Sequence, residues 1–75
     1  MPTLTRLSNG KIAVYANDHG EPHFHIEAPD RRCSVSIARL AVIVGVVKAP
    51  LPAEALAWAK VNQTLLDSRW KELNP

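Results

Sequence analysis

The sequence predicts a single α+β domain in which an antiparallel sheet of about five strands packs against one C-terminal helix. Three observations predict it: an Asn-Gly turn between strand-like segments, strict alternation of apolar and polar residues further along, and an apolar stripe at helical spacing near the C-terminus. A chain of 75 residues has room for one small core. We therefore expect one domain over residues 1–75, with the sheet in residues 2–47 and the helix in residues 52–73.

The sheet is predicted to begin with a hairpin. Asn9-Gly10 tolerates the positive φ angles of a tight turn, so strands 3–7 and 11–16 are expected to pair antiparallel. The third strand, residues 23–28, alternates between two faces. Its apolar face carries Phe24, Ile26 and Ala28, and its polar face carries His23, His25 and Glu27.

Two further strands are predicted in residues 31–37 and 41–47. The first alternates and places Cys33 on the apolar face, so we expect a buried structural thiol rather than a nucleophile. Since Cys33 is the single cysteine, an internal disulfide is excluded. Segment 41–47 is apolar on both faces, which is typical of a strand that is covered on both sides or lies in an interface.

One helix is predicted after Pro52, a residue that suits the first helical position because no amide donor is needed there. At 100° per residue, one stripe of this helix collects its large and small apolar side chains. The stripe consists of Ala55, Trp58, Ala59, Leu65, Leu66, Trp70 and Leu73. We expect it to pack on the apolar face of the sheet.

The net charge and the hydropathy of the sequence limit the classes of partner that we expect the protein to bind. The net charge of +2 at pH 7 is too mild to indicate nucleic acid by itself, although four arginines offer a modest basic patch. These are Arg6, Arg31, Arg32 and Arg39. The longest apolar run, residues 40–47, is far shorter than the roughly 20 residues of a membrane helix, so no membrane association is expected. No leader-like segment opens the chain, which favours a cytoplasmic location.

The candidate functional cluster comprises Asp18, His19, His23, His25 and Glu27. His23 and His25 are two apart on a strand, so their rings project from one face about 6–7 Å apart along it. Together with His19 or Glu27 they form a plausible ligand set for a divalent transition metal, zinc or iron, with Asp18 orienting an imidazole.

The alternative interpretation of this cluster is structural. The histidines and Glu27 would then form the water-facing side of a half-buried strand, with cross-strand contacts to Ser34 or Arg32. Asp18 and His19 would only hydrogen-bond the loop backbone. The residues alone leave both interpretations open.

The segments Met1-Pro2-Thr3-Leu4-Thr5-Arg6, Asn17-Asp18-His19 and Pro22-His23-Phe24-His25 together resemble one prokaryotic family. It is the domain of unknown function numbered forty-one sixty (DUF4160), marked by an Asp-His-x-Pro-Pro-His-Phe-His run. The likeness covers nearly the whole chain. It departs at Glu21, where the family usually has proline, and at 38–40, where polar turn residues are usual.

The resemblance implies a small cytoplasmic protein of bacteria or archaea, encoded beside another short protein in an arrangement that resembles a toxin–antitoxin pair. It implies no established activity. Our first hypothesis is an interaction module that binds itself or a small partner protein encoded nearby through segment 41–47. The second is a metal-dependent hydrolase or nuclease using the histidine cluster, and the third is a nucleic-acid binder using the four arginines.

Overall fold

The computed structural model describes residues 3–16, 20–29, 31–44 and 52–75. The strands are β1 (Thr3–Leu7), β2 (Gly10–Ala13), β3 (His23–Ala28), β4 (Arg31–Ser36) and β5 (Val42–Val44), and the helices are α1 (Ala53–Val61) and α2 (Gln63–Leu73). The strands form one antiparallel sheet in the order β1-β2-β3-β4-β5. The α+β class and the five-stranded antiparallel sheet are thus confirmed.

The core lies between one face of the sheet and the two helices. Ile12 lies opposite Ile26, which in turn lies opposite Cys33, so three neighbouring strands place apolar side chains on the same face. The helices contribute Ala55, Ala59, Leu66 and Trp70 to this cluster. Cys33 is buried, as its position in the alternation predicts.

The expectation of one helix over residues 52–73 is wrong, because the segment forms two helices that meet at Asn62. The side-chain Nδ2 of Asn62 donates to the carbonyl of Trp58 at 2.8 Å, so a side chain competes there for a helical acceptor. The apolar stripe continues across the break, which is why the sequence pattern does not reveal it. Leu65, placed in the stripe by a continuous helix, is 40% exposed, whereas Leu66 is fully buried.

The strand boundaries also differ from those expected. β2 ends at Ala13, and β4 ends at Ser36 because a turn begins at Ile37. This turn closes with the N–H of Leu40 donating to the carbonyl of Ser36 at 2.8 Å, and Leu40 takes a positive φ of 52°. β5 starts at Val42, and residues 45–47 of the predicted last strand lie outside the described residues.

Side-chain hydrogen bonds fix the helices to the sheet. The backbone N–H and the hydroxyl of Ser8, in the first hairpin turn, both donate to the carboxylate of Glu54 in the first turn of α1. At the other helix, the amide of Gln63 donates to the carbonyl of Ile37 at 2.7 Å. In the part of the chain that the structure describes, no helix has the length and apolar character that a membrane span needs.

Candidate functional site

The candidate site lies on the sheet face opposite the core residues of β3. Cross-strand register brings polar side chains together there: His23 lies opposite Ser36, His25 opposite Ser34, and Glu27 opposite Arg32. We call this surface the polar face, and it comprises Arg6, Lys11, Ala13, Tyr15, His23, His25, Glu27, Arg32, Ser34 and Ser36. The predicted alternation of β3 and its cross-strand neighbours Ser34 and Arg32 are confirmed.

Three rings of the polar face, those of Tyr15, His25 and His23, form a row that the ring of Trp70 continues at one end. The ring centroids of Tyr15 and His25 are 4.9 Å apart, those of His25 and His23 are 5.1 Å apart, and those of His23 and Trp70 are 4.8 Å apart. Trp70 belongs to α2, so the C-terminal helix reaches the start of β3. His23 is consequently only 7% exposed, and it is not part of the water-facing row that the structural alternative expected.

The tautomer of His23 follows from its hydrogen bond. Its Nδ1 lies 2.7 Å from the backbone carbonyl oxygen of Glu21. A carbonyl oxygen only accepts, so Nδ1 carries the proton in this contact. The same arrangement orients histidines in metal sites. The second ring, His25, has its Nδ1 3.4 Å from the hydroxyl of Ser34, which is a long contact.

Glu27 is held as a carboxylate. The hydroxyl of Tyr15 donates to its Oε1 at 2.6 Å, and the ammonium of Lys11 lies 3.7 Å from the same oxygen. The bond from Tyr15, with the charges of Lys11 and Arg32 nearby, holds the pKa of Glu27 below its ordinary 4.5. The same bond raises the pKa of Tyr15 above its ordinary 10.0, because the phenol must keep its proton to donate.

The Tyr15→Phe substitution is expected to lower the free energy of unfolding by about 1 kcal/mol at pH 7. The lowered pKa of Glu27 means that its contribution exists above the ordinary carboxyl pKa and disappears as pH falls through the folded value. The raised pKa of Tyr15 means that its contribution exists below about pH 10 and disappears at higher pH. Urea unfolding of both proteins at pH 7 and pH 3 checks this. An equal difference at both pH values would contradict the bond between neutral Tyr15 and ionised Glu27.

A second network joins the loop before β3 to the end of β4. The hydroxyl of buried Ser36 donates to Oε2 of Glu21 at 2.9 Å, and the guanidinium of Arg39 donates to Oε1 at 2.6 Å. The hydrogen bond from Arg39, which has the larger effect, and the one from Ser36 both lower the pKa of Glu21 below its ordinary 4.5. The sequence interpretation missed this pair. The signal was present, because Glu21 and Arg39 stand at the two places where the chain departs from the family pattern.

A charged row crosses four strands at one end of the polar face. Arg6 lies opposite Lys11, Lys11 opposite Glu27, and Glu27 opposite Arg32. These side chains line a groove of about 570 Å³ between the ends of the β1–β2 and β3–β4 hairpins.

The groove assembles only part of the predicted basic patch. Arg6 and Arg32 lie together in it, whereas Arg39 pairs with Glu21 elsewhere. The side chain of Arg31 lies outside the described part of the structure. Lys11 was missed, although pairing of the second strand with the third would have placed it beside Glu27.

The structure describes three of the five residues in the candidate functional cluster, so it tests the metal interpretation only in part. His23, His25 and Glu27 share the polar face, while Asp18 and His19 lie outside the described residues. Within 3–16, 20–29, 31–44 and 52–75, no three His, Cys, Asp or Glu side chains are grouped so that they would hold a metal ion. A zinc or iron site that includes His19 therefore stays a prediction.

One family matches the sequence, and its description is "Domain of unknown function (DUF4160)". The match covers residues 11–71, from the second residue of β2 to near the end of α2. The comparison with curated proteins finds no match, and neither does the comparison with solved structures. The gene context, the cytoplasmic location and the oligomeric state stay predictions.

Proposed function

Because the chain belongs to the DUF4160 family, whose description assigns no function, we propose from the geometry that it is a protein-interaction module whose strand β5 pairs with a strand of a second chain. The observation that carries this proposal is the exposure of Ile43, at 38%, in the middle of an apolar strand at the edge of the sheet. An apolar edge strand is a template for pairing unless it is covered or charged.

The surroundings of β5 support pairing. β4 lies on one side of it, and among the described residues no strand lies on the other. Val42 packs against the core cluster, while Ile43, the next residue, lies on the opposite face of the strand and is 38% exposed. Added strands gain affinity from main-chain hydrogen bonds and specificity from alternate side chains. Ile43 is such an alternate side chain.

The partner that we propose first is a second copy of this chain. Two identical edges can pair antiparallel around a twofold axis, so that each copy donates and accepts the same hydrogen bonds. Such pairing would join two five-stranded sheets into one and cover Ile43 of both copies. Domains of this size bury a smaller fraction of their surface than larger domains do, which favours association. In a toxin–antitoxin-like pair, the same edge would receive a strand of the small partner protein encoded nearby.

The Ile43→Lys substitution tests whether β5 pairs with a second copy of the chain. We expect the wild-type protein to dimerise at micromolar concentrations and the variant to dimerise at least about tenfold more weakly, because a lysine on an edge strand opposes pairing. Sedimentation equilibrium measures the dissociation constant. Val61→Lys is the matched control, since Val61 is 84% exposed on α1 and the charge change is the same. A monomeric wild-type protein at several hundred micromolar would contradict the proposal, as would equal weakening by both variants.

We also propose a second function, a metal-dependent hydrolase or nuclease. The observation that favours it is the orientation of His23 by a backbone carbonyl, with the ring of His25 5.1 Å away. A carbonyl or carboxylate on the second ring nitrogen is the usual support of a metal-binding histidine. His19 would complete the set and Asp18 would orient an imidazole. Bound zinc or iron would lower the pKa of a water molecule and so supply a nucleophile.

Zinc titration followed by histidine NMR tests this second function. We expect one equivalent of zinc to shift the ring signals of His19, His23 and His25 together, and His25→Gln to weaken binding by more than about tenfold. His25→Gln is preferred to a change at His23, because His23 packs on Trp70 and its loss would disturb the fold. Ser34→Ala is the control, since Ser34 contacts His25 without being a metal ligand of the set. Equal affinity for zinc in wild type and His25→Gln would exclude the site.

A further inference from the structure

The groove at the hairpin ends carries more positive than negative charge among the described residues, with Arg6, Lys11 and Arg32 against Glu27. Arg6 and Arg32 are exposed, and within the described part of the chain neither forms an ion pair. By contrast, Arg39 and Arg69 pair with Glu21 and Glu72. The two unpaired guanidinium groups therefore lie on the same groove rather than being spread over the surface.

The carboxylate in the groove is already engaged. Tyr15 and Lys11 both contact the same oxygen of Glu27. The positive charge of Lys11 and the negative charge of Glu27 therefore offset each other. Arg6 and Arg32 remain on either side of this pair, and they provide the net positive charge. A ligand in the groove would thus meet one arginine at each end.

The spacing of the two arginines indicates the size of the anion. They belong to β1 and β4, which are three strand spacings apart, or about 14 Å between backbones. This separation leaves room between the two side chains for an anion with two linked charged groups. The groove has a volume of about 570 Å³ and is open to solvent. Leu7, Ala28 and Pro29 add an apolar wall.

We propose that this groove binds a small molecule that carries linked phosphates, with Arg6 and Arg32 each contacting a phosphate. Arginine suits this role because its planar guanidinium forms paired hydrogen bonds with phosphate oxygens. The site is separate from β5, so it goes beyond the proposed interaction function and does not depend on it.

The test is a calorimetric titration of the full chain with inorganic pyrophosphate and with ADP, and with inorganic phosphate and a ten-nucleotide oligothymidylate as comparisons. We expect pyrophosphate and ADP to bind more tightly than phosphate, and Arg6→Gln and Arg32→Gln each to weaken binding about tenfold. Arg69→Gln is the matched control, because it removes the same charge from an exposed arginine on α2. It should leave the affinity unchanged.

Three outcomes would overturn the proposal. The first is no binding of pyrophosphate or ADP at millimolar concentration. The second is equal weakening by Arg69→Gln, which would show attraction to net charge rather than a site. The third is binding of the oligothymidylate alone, which would assign the groove to the nucleic-acid backbone. Dimerisation by β5 is measured separately, so failure here leaves the proposed function untouched.

Discussion

Replacing Trp70 by alanine is expected to lower the free energy of unfolding by about 3–5 kcal/mol. Trp70 is 7% exposed, belongs to the core cluster, and packs its ring on His23. Its removal takes away the largest side chain that joins α2 to the sheet and leaves a cavity beside a polar ring. Because small domains are stable by about 5–15 kcal/mol in total, we expect the variant to be close to unfolding at room temperature. Urea denaturation followed by circular dichroism measures the change.

The Trp70→Phe variant is the control for this prediction. Phenylalanine keeps an aromatic ring against His23, so its loss of stability should be less than half that of alanine. The His23 ring signal should move in both variants, because the indole shields it. If Trp70→Ala lowered stability by less than about 1 kcal/mol, the packing of α2 on β3 would be wrong.

Gly10→Ala is expected to cost about 3 kcal/mol, because the new methyl group would collide with backbone atoms. A Cβ at Gly10 would lie 2.5 Å from the carbonyl oxygen of Glu27 and 3.0 Å from Cβ of Ala28. The colliding oxygen belongs to the neighbouring strand and cannot move without disturbing the sheet. Gly10 also has a φ of +159°, which an alanine rarely adopts.

The Gly20→Ala variant separates the stability cost of a steric collision from the stability cost of the backbone conformation. Gly20 has a φ of +90°, but no atom lies within 4 Å of the position that its Cβ would take. We therefore expect a cost of about 1 kcal/mol from the backbone alone. Thermal or urea unfolding of both variants gives the comparison. Equal costs at the two positions would contradict the close approach of Gly10 to β3.

The parts of the fold that local patterns determine were predictable. The hairpin of β1 and β2 and the alternation of β3 depend on residues close in the chain, and the structure confirms both. The expected turn at Asn9-Gly10 is wrong in detail: Leu7 pairs with Gly10, so the loop consists of Ser8 and Asn9, and Asn9 does not take a positive φ. The break at Asn62 was not predictable from periodicity, because the apolar stripe runs through it while the side chain bonds back to Trp58.

Part of the candidate site was also predictable from the sequence, and part was not. The shared face of His23, His25 and Glu27 follows from strand geometry alone. The burial of His23 does not, because it depends on where α2 crosses the sheet and places Trp70. The charged row needed the register between the second and third strands, a contact between segments distant in the chain.

Amide hydrogen exchange of Val42–Val44 tests the central claim, pairing through β5, most directly. If a second copy pairs with this edge, the outward amides of β5 should become at least about tenfold more protected when the protein concentration rises from 5 to 500 μM, roughly the range over which micromolar association saturates. Amides of β1, the opposite edge, should keep the same exchange rate. Exchange at β5 that is independent of concentration would contradict the claim.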